Sequence, residues 1–226
     1  MNILIVAATT FEIAPLIQYL EEHAERESFF DFKINGHKIY PLVTGVGSLN
    51  TAFAVARYKE LEKTDVAINA GVAGAYSTDY RLGDVVEVTS DRFADLGVEE
   101  ADGSFTDVYD LGLVEANNYP FKNGWIQNLK IKFETGLPKV TGLSVNRVHG
   151  ETSSIARIKS KYHADVESME GAGFLYACRM ADVDCNQIRS ISNYVEPRNK
   201  DNWAIRKAID NLNSELVRIV VGLTKS

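Results

Sequence analysis

Short runs of branched apolar residues alternate with longer segments of helical period along most of this chain. That alternation restricts it to an α/β fold. Residues 3–8 open the pattern with an apolar run suited to a strand buried on both faces. Ile13, Leu16, Ile17 and Leu20 follow at helical spacing, with Thr10 as the expected N-cap. Asn35-Gly36 is a hairpin signal leading into a strand over 39–44. Ser48 is then expected to cap a helix with Leu49, Ala52, Phe53, Ala56 and Leu61 on its buried face. Further strands are predicted over 66–70, 84–89, 139–145 and 188–192, and helices over 153–161, 169–180 and 202–223. Residues 91–125 break the rhythm. Phe93, Phe105, Tyr109, Tyr119, Phe121 and Trp125 are mixed there with Asp, Gly and Asn, which predicts an irregular excursion packed by its aromatics or used in function.

No linker or internal repeat divides the 226 residues, so one α/β domain with a largely parallel sheet is predicted. The net charge of −7 disfavours bulk binding to nucleic acid. Apolar stretches such as 3–8 and 219–223 are too short to span a bilayer. The amino-terminal run lacks a basic leader, and Cys178 and Cys185 match no disulfide or zinc spacing. A cytoplasmic protein with two reduced thiols is expected.

Ligands of such sheets bind at strand ends, and five polar or small-residue segments lie there. Thr9-Thr10-Phe11-Glu12 puts a carboxylate in the first turn of a helix, where the dipole alone would also favour it. Thr44-Gly45-Val46-Gly47-Ser48 could bring backbone N–H groups close to a ligand or simply turn tightly; it fits neither a dinucleotide fingerprint nor a P-loop. Asn69-Ala70-Gly71-Val72-Ala73-Gly74 is read as a strand end and loop open to a flat ligand or to close packing. Val166-Glu167-Ser168-Met169-Glu170-Gly171-Ala172-Gly173 sets two acids around a methionine, with Ser168 as a possible cap. The fifth segment is the polar stretch from Ser190 through Ser192, Asn193 and Glu196 to Asn199. His149 and His163 read as surface or satisfied histidines, not metal ligands.

In this order the five segments resemble the purine nucleoside phosphorylase and uridine phosphorylase superfamily, and within it the methylthioadenosine/adenosylhomocysteine nucleosidase branch. The resemblance covers about residues 1–223 and is poorest over 91–125. The segments around Met169-Glu170 and Asn193 look most like the futalosine hydrolases, which split futalosine into hypoxanthine and dehypoxanthinyl futalosine in an alternative route of menaquinone biosynthesis. The resemblance implies a three-layer αβα single domain over 1–226 with a central twisted mixed sheet. It implies a purine nucleoside as partner, no metal or organic cofactor, and a homodimer or larger homo-oligomer.

Residue by residue, Glu12 matches the acid that activates water. Met169 and Glu170 match the pair at the ribose. Asn193 stands where the nucleosidases carry an aspartate that protonates adenine, with Ser192 beside it as a substrate-binding residue. Gly74 matches the lining of the base site, and Val148 a residue whose backbone meets the base. Two departures are informative. Asparagine offers one donor and one acceptor but no acidic proton, which suits a 6-oxopurine over adenine. The first segment lacks the arginine of the phosphorylases and Val72 stands where relatives often carry a serine, so hydrolysis is expected over phosphorolysis. The aromatic 91–125 segment is expected to close over the carboxyphenyl end of futalosine, helped by a neighbouring subunit. The alternatives are a purine nucleoside phosphorylase, a methylthioadenosine/adenosylhomocysteine nucleosidase, and a silent nucleoside-binding protein.

Overall fold

Strand β1 (Asn2–Ala7) is apolar on both faces because helices cover both. Ile3, Ile5 and Ala7 pack against Leu16 and Leu20 of α1 (Thr10–His23) and Leu212 and Leu216 of α5 (Ile205–Thr224). Leu4 and Val6 face the other way, towards Val55 of α2 (Ser48–Ala56) and Phe174, Leu175 and Cys178 of α4 (Gly171–Met180). Each such fully buried aliphatic side chain contributes about 1.5–3 kcal/mol. The layers are therefore helix, sheet, helix. The computed structural model describes residues 1–28, 31–58, 60–129 and 131–225.

The remaining strands and α-helix are β2 (Glu25–Arg26), β3 (Phe32–Ile34), β4 (His37–Val43), β5 (Val66–Ala75), β6 (Val85–Phe93), β7 (Gly97–Glu99), β8 (Phe105–Asp107), β9 (Phe121–Lys122), β10 (Trp125–Gln127), β11 (Lys139–Ser144), α3 (Thr152–Tyr162), β12 (Val166–Ser168) and β13 (Cys185–Tyr194), with short 3-10 turns at Leu61–Lys63 and Lys200–Asn202. The main sheet runs β2-β3-β4-β1-β5-β12-β11-β6-β10-β9, with β13 pairing both β5 and β6. Strands β4, β1, β5 and β13 are parallel, as are β12, β11 and β6. The two blocks oppose each other at β12–β5 and β13–β6. The sheet is thus mixed rather than largely parallel. Strands β5, β12, β11, β6 and β13 close into a ring of pairings.

The Asn35-Gly36 turn joins β3 to β4 with Ile34 opposite His37, both turn residues at positive φ, as a two-residue hairpin requires. Three expectations need correction. Thr9, not Thr10, is the N-cap of α1, and Gly47, not Ser48, that of α2. The buried face of α2 is Thr51 and Val55, whereas Leu49 is 80% and Phe53 60% exposed. Strands β5, β6 and β13 run past their predicted ends, because small residues and polar side chains paired inside the ring let them continue. Residues 71–75 are therefore strand, not loop.

The 91–125 excursion is anchored. The buried Arg92 guanidinium pairs with Asp107 at 2.6 Å and lies 4.8 Å from the ring centroids of both Tyr109 and Tyr162. Phe121 packs near Tyr109 and Tyr176, and Lys161 lies 5.5 Å from the Phe105 ring. Among the described residues no helix is long and apolar enough to cross a membrane, and no cluster of His, Cys, Asp and Glu is placed to hold a metal ion.

Candidate active site

Glu12 is held from two sides. Its Oε2 accepts from the Thr9 backbone N–H at 3.0 Å and the Thr9 hydroxyl at 3.1 Å, so helix capping accounts for that oxygen. Its Oε1 reaches across to β5 and accepts from the Val72 N–H at 3.3 Å. The Arg189 guanidinium comes to the same place. A Cβ on Gly71 would lie 2.9 Å from both Glu12 Oε1 and Arg189 Nη1, so only glycine lets the two charges approach here. Arg189 is 1% exposed and donates to Asn69 Oδ1. Burial raises the Glu12 pKa most; Arg189 opposes this and the nearby Glu170 carboxylate adds to it.

Glu170 precedes α4 directly. Its Oε1 accepts from the Gly47 N–H at 3.0 Å, and the Ser48 hydroxyl donates to the Met169 carbonyl at 2.9 Å. Gly47 sits at φ +101°, a conformation that favours glycine. The start of α2, a natural anion site, is thereby filled by a carboxylate of the protein itself. The Met169 side chain is half-buried beside it.

Asn193 is placed by a bulge. Register between β5 and β13 shifts between Ile191 and Asn193, which sets Asn193 opposite Gly74. A Cβ on Gly74 would lie 3.0 Å from Asn193 Nδ2. The buried Ser192 hydroxyl donates to Asn193 Oδ1 at 2.8 Å, and Asn193 Nδ2 donates to the Tyr194 carbonyl at 2.9 Å. Gly74, Val148 and Asn193 line one cleft of about 60 Å³, together with His149, Glu167 and Arg198. Ser192 lies behind Asn193 and orients it. A larger groove of about 710 Å³ between α3 and β7–β8 holds none of the residues singled out as site candidates, and shares only His149 with the cleft.

Two groups therefore form, Glu12 with Glu170, and Gly74 with Val148 and Asn193. Strand β5 links them. Val72, bound to Glu12, and Gly74, beneath Asn193, are two residues apart on one strand face, about 7 Å at ordinary strand rise. A paired-carboxylate end can orient water and stabilise positive charge. The amide end can hold a hydrogen-bonding heterocycle.

Sequence reasoning missed Arg189, His149, Glu167 and Tyr76 as parts of this region. Arg189 had one legible signal, a charge between Ile188 and Ile191 in an apolar strand. Glu167 lay in a recognised segment with no role. Nothing in the sequence pairs His149 with it.

The phosphorylase superfamily profile matches residues 2–223. A futalosine hydrolase of Thermus thermophilus is 31% identical, over 79% of this chain and 80% of its own. A 5'-methylthioadenosine/S-adenosylhomocysteine nucleosidase of Maridesulfovibrio salexigens is 28% identical over 100% of this chain and 99% of its own. Among solved structures, the native futalosine hydrolase of Helicobacter pylori superposes with a TM-score of 0.79 at 16% identity, covering 98% of each chain.

Proposed function

The chain belongs to the phosphorylase superfamily, and on that premise we propose that it is a nucleosidase hydrolysing the N-glycosidic bond of a purine nucleoside, with futalosine as substrate. The observation that carries the hydrolytic reading is the Glu12 carboxylate, buried against Val72 N–H and electrostatically coupled to Glu170. A phosphate dianion would meet two carboxylates there, and the Gly47 N–H at the start of α2 already binds Glu170. Glu12 orients a water and takes its proton. Glu170 faces the ribose and stabilises the oxocarbenium-like charge as the bond to the base breaks. Asn193 holds the base, and its donor–acceptor amide suits the O6 and N7 edge of hypoxanthine. The products are hypoxanthine and dehypoxanthinyl futalosine, an intermediate of menaquinone biosynthesis.

Cleavage of methylthioadenosine or adenosylhomocysteine is the second reading, favoured by the full-length similarity to a nucleosidase of that name. The experiment is product analysis on futalosine, inosine, methylthioadenosine and adenosylhomocysteine, each with and without phosphate. Hypoxanthine from futalosine without phosphate is expected. Adenine from methylthioadenosine at the higher kcat/KM would support the second reading. Ribose 1-phosphate from inosine would overturn hydrolysis.

The exposed pair Leu49 and Phe53, one turn apart on α2, supports a homo-oligomer. Analytical ultracentrifugation tests this. A monomer at micromolar concentration would overturn it.

A further inference from the structure

Asparagine has no acidic proton to give a departing base: the Asn193 amide, with one partner at each end in the protein, keeps one N–H and one lone pair to hold the base but cannot protonate it. Most other polar groups of the cleft are also engaged. The Tyr194 hydroxyl donates to the Tyr80 carbonyl at 3.0 Å, Glu196 Oε1 accepts from Asn202 at 2.8 Å, and the Arg198 guanidinium lies 5.0 Å from the Trp203 ring centroid. His149 is different. Its Nδ1 meets Glu167 Oε2 and its backbone N–H donates to Glu167 Oε1 at 3.0 Å, while its Nε2 has no partner among the described residues. The carboxylate it meets is 4% exposed and also accepts from the Tyr76 hydroxyl at 2.7 Å. The loop carrying His149 is tied to the loop after Asn193, since the Arg198 N–H donates to the Gly150 carbonyl at 3.2 Å.

A carboxylate so fixed does two things to an imidazole. It holds the Nδ1–H towards itself and fixes the ring, and it leaves Nε2 as the nitrogen through which the ring exchanges a proton. We propose that His149, oriented by Glu167, donates the proton that the purine takes up as its bond to the sugar breaks. The inference rests on the hydrolase reading above. The C1′–N9 electron pair goes to the base, a ring nitrogen of the base takes the Nε2 proton, and the water oxygen bonds C1′ as its proton passes to Glu12. Solvent reprotonates His149 and deprotonates Glu12, so one water is consumed overall. His149 keeps 17% side-chain exposure, which allows that exchange.

Charged groups face His149 from several elements. Glu167 of β12 touches it; Glu196 and Arg198 line the cleft from the loop after β13. Across the groove stand Arg147 of its own loop, Arg157 and Lys161 of α3, Asp95 after β6 and Glu99 of β7. Of these, Glu167 touches the ring; Lys161 is paired with Asp107 and Asp110, and Arg147 and Arg157 are exposed and screened by solvent.

The test is His149→Gln, assayed on the purine nucleoside and on p-nitrophenyl riboside, whose leaving group needs no proton. Loss of about 10²- to 10⁴-fold in kcat on the nucleoside is expected, with the riboside rate within a few-fold of wild type. The alkaline limb of the wild-type kcat–pH profile should vanish in His149→Gln, and Glu167→Gln should lose kcat on the nucleoside while sparing the riboside. Equal losses on both substrates with an unmoved profile would make the pair structural and overturn the proposal. So would a variant as active as wild type. Should the riboside not turn over at all, the pH profile decides alone. Wild-type inertness towards every purine nucleoside would instead fail the hydrolase reading, a distinguishable result.

Discussion

Burial and Glu170 raise the proton affinity of Glu12 while Arg189 lowers it, with a net upward shift. A general base works only when ionised, so activity should fall as pH drops through this raised value. The acid limb of kcat/KM is therefore expected at higher pH than an ordinary glutamate would give. Glu12→Gln should bind substrate, lose nearly all turnover and lose that limb. A pH–rate profile with isothermal titration of the variant checks both, and unchanged turnover would remove Glu12 from the mechanism. Glu12 was legible in sequence as an acid just past a strand, although helix capping explained it equally well. The deciding contact, with Val72 N–H, spans 60 residues and lies beyond any local pattern.

Two elements, α2 and α4, cross where Gly173 meets Ser48. A Cβ on Gly173 would lie 2.3 Å from the Ser48 carbonyl oxygen, a backbone atom that cannot swing aside. Gly173→Ala is expected to cost about 1–3 kcal/mol by overpacking and to disturb Gly47 and Ser48, which hold Glu170 and Met169. Urea unfolding and the KM for nucleoside should both worsen; wild-type stability would refute the close approach. This contact also explains why the α2 face was misread. Leu49 and Phe53 have the period of a buried stripe, but α4 meets the small and polar side of the helix. Periodicity identified the element but ran it on to Leu61, past its end at Ala56, and the partner chose the face. In the same way β5 was read as ending at Ala70, because Gly71 and Gly74 resemble a turn until the charges and the asparagine crowding them are known.

Across the whole molecule, the alternation of strands and helices made the layered architecture readable. The ring of pairings was not, since it depends on which distant strands meet. Inside that ring Asp91 is fully buried, accepting from Gln187 at 2.9 Å and Ser144 at 3.0 Å. Burial pushes its pKa up to about 6 from 3.8. Between those values the folded protein keeps a proton that the unfolded chain has lost. Stability should therefore fall as pH rises through this window, by about 3 kcal/mol from this group. Asp91→Asn should remove that slope in urea unfolding measured from pH 4 to 6.5, and parallel wild-type and variant curves would refute it.

Because the ring has no unpaired edge, its strands cannot fray one at a time. Amide hydrogen exchange makes this measurable. The β5 and β13 amides of residues 70–73 and 188–191 should exchange only through global unfolding, while those of β2 and β9 at the sheet margins exchange through local opening. Uniform exchange across the sheet would argue against it. A nucleosidase built this way carries its proposed base and water sites on the last part of the molecule to open, so heat or denaturant should abolish activity and global structure in one transition.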